Sequence, residues 1–182
     1  MKNDKGNKAG REFVIPFGGL SAGIHHFEFE IKDKFFTYFE GSEIDNGKFN
    51  VDLELNKQSS MLALKFNIKG STRVMCDRCS DEFEMMVEGE QRLIIKLGDD
   101  DFGDNDEIIS VPAAENEYDV SGNIYEYIIL SLPQRRVHPD KKGKNSCNKA
   151  VLKKLEEIAL KEEEEKKTDP RWDKLKDLKF KN

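Results

Sequence analysis

The chain has 182 residues, of which 36% are charged and 37% hydrophobic, and its formal net charge is −6. This balance is richer in charge than an average soluble domain, so we expect one folded core that carries strongly solvated segments. No run of about 18 apolar residues is present, which excludes a membrane-spanning helix, and the first residues lack the apolar stretch of a signal peptide. Three cysteines in a chain expected to be intracellular indicate metal binding or reduced thiols, not a disulfide framework.

The first half of the chain predicts a β-meander. Residues 1–11 are basic, contain two glycines and lack apolar periodicity, so we expect a flexible arm. A short strand is expected over 13–17, and Asp33 is expected to cap one helical turn. Further strands are predicted where apolar residues recur with a period of two, and the short link 57–60 predicts an antiparallel hairpin. These strands cover 27–31, 49–55, 62–68, 83–87, 93–97 and 108–111.

The second half predicts helices. Asp119 or Ser121 is expected to cap a helix over about 121–131 that ends before Pro133, and helical spacing returns over 150–165. We therefore predict an α+β fold, in which a mainly antiparallel sheet could curl into a barrel-like shape and is followed by C-terminal helices. The predicted domains are the arm 1–11, an α+β domain over 12–149, and a C-terminal helix with a basic tail over 150–182.

The strongest local signal is the pair Cys76 and Cys79, which lies at a predicted tight turn between two strands. Two thiolates at this spacing can bind one ion, but zinc takes four ligands. His138 and Cys147 share the loop after Pro133 and could supply the other two, although their separation is longer than in a compact knuckle. Three reduced thiols without metal are the alternative. His25 and His26, which are adjacent in the sequence, are further candidate ligands. We expect them to be structural, with one ring facing in and the other out.

Charge is segregated along the chain. The segment 132–149 has a net charge of +5 and 166–182 has +4, whereas 80–119 has −12. Cationic loops can contact phosphates, so the first segment contains the candidate RNA-binding residues. The acidic segment would repel RNA and could bind a basic partner such as a ribosomal protein. For the cationic and the acidic segment alike, solvated surface is the simpler interpretation. The candidate RNA contacts are Arg135, Arg136, Lys141, Lys142, Lys144 and Lys149.

The tail supplies a candidate docking segment for a partner. Trp172, Leu175 and Leu178 recur every third residue next to Arg171, which favours a short helix that packs on a partner or on the same protein. No nucleotide-binding loop, nucleophile elbow or zinc-protease motif is present in the sequence. We therefore expect no catalytic residues and no small-molecule substrate. A metal-dependent enzyme would need an open ligand position on the ion.

These motifs occur in an order that resembles a known family. The order is CDRC between strands, an acidic stretch, YDVSGNIYEYIILSLPQRRVHPD, one further cysteine, and DPRWDKLKDLK near the end. This arrangement resembles the YceD family, the large ribosomal RNA subunit accumulation proteins of bacteria and plastids, from about residue 12 to the C-terminus. The resemblance implies a non-enzymatic, cytoplasmic role in making or stabilising 23S ribosomal RNA, through that RNA or through pre-ribosomal large-subunit components, and no membrane.

Many members of that family carry a second Cys pair after the Leu-Pro block. This sequence departs from the pattern there, because it has His138 and, nine residues later, Cys147. Other members of similar type also have a His and a Cys at this place. The resemblance therefore implies a site made of Cys76, Cys79, His138 and Cys147, with zinc as the expected ion for mixed sulfur and nitrogen ligands. An alternative function also stays open. In it, the protein is an adaptor whose acidic loop and tail bind partner proteins, and its contact with RNA is indirect.

Overall fold

The fold is α+β in a computed structural model that describes residues 10–98, 108–139 and 147–165, the last six of them by backbone only. The described strands are β1 (Val14–Ile15), β2 (Gly23–Ile31), β3 (Lys48–Lys57), β4 (Met61–Met75), β5 (Glu82–Leu97), β6 (Ile108–Val111) and β7 (Tyr118–Asp119). The helices are α1 (Asp33–Phe36), α2 (Ser121–Leu130) and α3 (Lys149–Glu165). The predicted arm 1–11 falls almost wholly outside the described residues, as does most of the acidic stretch 98–107.

Five strands form one sheet in the order β2-β3-β4-β5-β6. The first four pair as an antiparallel meander, as the period-two patterns predicted, and the link after Lys57 makes the predicted hairpin. β6 returns to the sheet as predicted, but it pairs parallel to β5. The suggested barrel-like closure is wrong: among the described strands, β2 and β6 are the edges of an open sheet.

One face of this sheet forms the core. The residues of β3 and β4 alternate strictly, so that Val51, Leu53, Leu64 and Phe66 are buried while their neighbours face outward. α2 packs on the buried face, where Tyr127 meets Phe66 edge-on with a ring-centroid distance of 5.1 Å. Helical spacing places Ile124 and Ile128 on the same buried side of α2, which is why this segment folds as an amphipathic helix.

Two local predictions differ from the structure. The expected strand over 13–17 is reduced to Val14–Ile15, which pairs with β7 and is flanked by two 3₁₀ turns. Asp33 does not cap α1: it is the first helical residue, and its Oδ1 accepts a hydrogen bond of 2.8 Å from the backbone N–H of Gly47. The Asp33 carboxylate, which the local pattern assigned to the helix end, therefore binds a distant backbone N–H instead.

The chain divides into two compact units. Unit 1 comprises 1–75 and 82–136, and contains both sheets with α1 and α2. Unit 2 comprises 76–81 and 137–182, so it joins the turn between β4 and β5 to the segment that ends in α3. The predicted domains 1–11, 12–149 and 150–182 were consecutive along the sequence, whereas these two units group residues by their contacts in space. The predicted domain boundaries therefore stay a prediction.

Candidate metal centre

The turn Cys76–Asp81 is a compact backbone structure that presents two sulfur atoms. The Cys76 N–H donates a hydrogen bond of 2.9 Å to the Asp81 carbonyl, and the Ser80 N–H donates one of 2.8 Å to the Cys76 carbonyl. Ser80 has a φ of 59°, the left-handed conformation that lets the chain reverse within this short span. The spacing of the cysteines does not indicate this role of Ser80, and its one local signal is that a small polar residue follows Cys79 directly.

His138 and Cys147 bring their side chains to this turn. The Sγ atoms of Cys76 and Cys147 are 3.8 Å apart, and the Nδ1 of His138 lies 3.5 Å from Cys79 Sγ and 3.6 Å from Cys147 Sγ. All four ligand atoms lie within 4.8 Å of one another. The structure therefore brings together, inside unit 2, the four residues that the sequence analysis proposed as one site.

Three of the six separations between ligand atoms match those around a tetrahedral ion. Ligands at about 2.3 Å for sulfur and about 2.0 Å for nitrogen would be roughly 3.8 Å apart for two sulfurs and roughly 3.6 Å for sulfur and nitrogen. The three contacts above have these values, and a disulfide would require about 2.0 Å between sulfurs. All three cysteines are free. The group could therefore hold a metal ion, and a Cys₃His donor set fits structural zinc.

The protein environment favours ionised sulfur at one position. Burial by itself raises the pKa of the Cys76 thiol, but backbone N–H groups of Arg78, His138 and Cys79, together with the His138 ring, bring it down from 9.0 to about 6. Burial, followed by hydrogen bonds and charge from Cys76 and Cys79, raises the pKa of Cys147 to about 11. A cation at the centre would offset the repulsion between neighbouring thiolates, because cysteine binds a metal ion as the deprotonated thiolate.

The burial of the four residues indicates a closed site. Cys76 and Cys79 are each 2% exposed and Cys147 is 4% exposed, while His138 is half-buried. With four protein ligands, no coordination position is left for water or substrate, which is the arrangement of structural and not of catalytic zinc. The chemistry available to this group is to join the turn Cys76–Asp81 to the segment from His138 to Cys147.

The predicted RNA contacts have different placements. Arg135 is exposed, Lys149 is exposed at the start of α3, and Arg136 forms an ion pair with Glu43 with its own side chain 21% exposed. Phosphate would have to compete with Glu43 for Arg136. The remaining candidates lie outside the described residues: these are Lys141, Lys142 and Lys144, and the docking residues Arg171, Trp172, Leu175 and Leu178.

The two histidines on β2 differ in burial, as the alternation along a strand predicts. His25 is half-buried and its Nε2 lies 2.9 Å from the Ser21 carbonyl, whereas His26 is exposed. Neither histidine belongs to the metal-ligating cluster found in the described part of the chain.

Comparison with known proteins identifies a family that the chain matches. The family model for "Large ribosomal RNA subunit accumulation protein YceD" matches residues 64–179, which include all four residues of the cluster. No curated protein and no solved structure matches the chain. Within the described helices, none combines the length and the apolar character that crossing a membrane would need.

Proposed function

Because the chain belongs to the YceD family of large ribosomal RNA subunit accumulation proteins, we propose that it acts as a non-enzymatic, cytoplasmic factor in ribosome biogenesis. In this proposal it binds 23S ribosomal RNA, or another component of large-subunit precursors, and supports the accumulation of that RNA. The family gives the link to ribosomal RNA, and the cationic segment that lies between two candidate ligands in the sequence supplies the means of binding.

The observation that carries the proposal is the position of the cationic residues between two candidate ligands. Lys141, Lys142 and Lys144 lie between His138 and Cys147, whose ligand atoms are 3.6 Å apart. An ion bound to both would close this segment into a short loop and reduce its freedom before RNA binds. Zinc is the ion we propose, with the four residues of the cluster as its ligands.

Binding of RNA can be tested by its dependence on salt. Purified full-length protein would be titrated with large-subunit ribosomal RNA at several salt concentrations. Reversing three charges with Lys141→Glu, Lys142→Glu and Lys144→Glu should weaken binding and reduce the log–log salt slope by about two to three. The matched control reverses three exposed lysines of unit 1, Lys34, Lys48 and Lys69, and should leave the slope nearly unchanged.

Two results would contradict this function. Equal losses in both variants would mean that net charge, and not the segment between the ligands, governs binding. Sedimentation of the protein away from large-subunit precursors in cell extracts would remove the link to ribosome assembly. Treatment with RNase separates the adaptor alternative, because an adaptor keeps its partner when the RNA is destroyed.

A further inference from the structure

β5 is a long strand that lies between β4 and β6 in the sheet. Its edge toward β6, called its outer side, is paired over only a short part of its length. Its inner side pairs with β4 along the whole strand, from Glu82 opposite Met75 to Lys96 opposite Met61. On the outer side, β6 pairs only with the end of β5, from Ile94 to Leu97. Within the part of the chain that the structure describes, residues 84–92 therefore have no strand on their outer side.

This open edge offers backbone hydrogen bonds to an added strand. In an antiparallel pair, alternate residues direct both N–H and C=O away from the partner, and nine residues span about 30 Å. Natural edges are usually blocked by charged side chains, above all lysine, by proline, or by a bulge. The sequence 84–91, EMMVEGEQ, contains neither lysine nor proline, and its register with β4 is continuous. The charges along the edge before Arg92 are all carboxylates, which repel an acidic strand but not a basic one.

The side chains along the edge select a basic partner. Glu84, Glu88 and Glu90 all point to the solvent face, and Met86 between them is 72% exposed. Two copies of this edge would bring these carboxylates against one another, which disfavours self-pairing. On the side of β4, the same carboxylates already face cations: Glu84 lies opposite Arg73, Glu88 lies opposite Lys69, and Glu90 forms a 3.0 Å ion pair with Lys65. Glu84 also accepts a 2.7 Å hydrogen bond from the Ser71 hydroxyl, and Glu90 lies 3.3 Å from Arg92 of β5 itself.

We infer that residues 84–91 of β5 are a docking edge for an extended segment of a partner protein that carries Lys or Arg at alternate positions. The segment adds to the sheet beside β5, its backbone completes the ladder, and its cations face the three glutamates as those of β4 do on the inner side. Specificity comes from the period of two, because every second side chain points to the acidic face. This partner is a protein, so the inference goes beyond the RNA-binding function proposed above.

The opposite edge of the sheet is a natural control. β2 also carries exposed carboxylates, Glu28 and Glu30, but Glu12 and Phe13 line a cavity of about 360 Å³ beside it. Phe13 stacks on Phe29 with a centroid distance of 5.8 Å. Lys32 and Lys34 also line this cavity. The β2 edge is thus partly covered and has cations beside it, whereas the described cations near 84–91 belong to β4, apart from Arg92 at the end of this edge.

The test uses the full-length chain and the labelled peptide KTKTKTKT, with KKKKTTTT as a control of the same composition. We expect the alternating peptide to bind more tightly in fluorescence anisotropy. When it binds, hydrogen exchange should slow at those amides of 84–92 that point away from β4. The triple variant Glu84→Gln, Glu88→Gln and Glu90→Gln should weaken binding about tenfold, since three exposed ion pairs each change affinity about twofold. The matched variant Glu12→Gln, Glu28→Gln and Glu30→Gln should bind like the unmodified chain.

Four results would overturn the inference. These are equal binding of the two peptides, protection of the β2 amides at 23–31 instead of 84–92, equal losses in both triple variants, and slow exchange, in the free chain, of those amides in 84–92 that point away from β4. The last result would mean that another part of the protein already covers the edge. None of these measurements involves RNA, so the outcome is independent of the salt-dependence test of RNA binding.

Discussion

Removal of the proposed metal should destabilise the protein by an amount that the fold allows us to estimate. A metal link between Cys79 and His138 connects residues that are 59 positions apart. Treated as a cross-link that constrains the unfolded chain, a loop of this length contributes about 4 kcal/mol to the free energy of unfolding. For a chain of this size, such a loss corresponds to a decrease of about 10 °C in Tm.

The assay is thermal unfolding of purified protein under reducing conditions, with and without a zinc chelator. Elemental analysis should find one zinc per chain before treatment, and adding zinc back should restore the original Tm. The variant Cys76→Ser with Cys79→Ser should have a lowered Tm that no longer responds to the chelator. The reasoning is refuted if zinc is absent from protein purified without chelators, or if the chelator removes zinc and leaves Tm unchanged.

Three substitutions in unit 1 test the packing of the sheet. Gly70→Ala should cost about 3 kcal/mol in a denaturant titration, because the new Cβ would lie 2.2 Å from the backbone carbonyl oxygen of Lys48, which cannot rotate away. Gly122→Ala, where nothing lies within 4 Å, should instead stabilise α2 by up to about 1 kcal/mol; an equal loss in both variants would contradict the steric argument. Asn46→Ala should cost about 1 kcal/mol, because its side-chain Oδ1 accepts a 2.8 Å hydrogen bond from the N–H of Arg73; unchanged stability would show that water replaces this contact without loss.

The strands of the meander were predictable because their signal is local. Alternation with a period of two places Leu53 on the apolar face of β3 and Phe66 on the apolar face of β4, and both are buried in the structure. The helices at Ser121–Leu130 and Lys149–Glu165 were predicted for the same reason, with a period of 3.6. The short segment before Phe17 was predicted less well, since its conformation depends on pairing with Tyr118 and Asp119, far along the chain.

The candidate site was predictable in composition but not in geometry. Cys76 and Cys79 stood out by their spacing, and the resemblance to the family added His138 and Cys147. That four ligand atoms lie within 4.8 Å of one another is a property of the fold, because it brings together residues up to 71 positions apart. The same holds for the ion pair of Arg136 with Glu43, which joins residues 93 positions apart and which no local pattern indicates.

The sequence by itself determined the long strands and the two long helices, the candidate metal ligands, and how charge is segregated along the chain. These features follow from side-chain periodicity and residue chemistry over a few neighbouring positions. The tertiary structure decided that β6 pairs parallel to β5, that the sheet stays open, and that the acidic side chains of 84–90 line a strand edge. Pairing order and edge exposure depend on contacts between distant segments, so one local pattern is compatible with several outcomes.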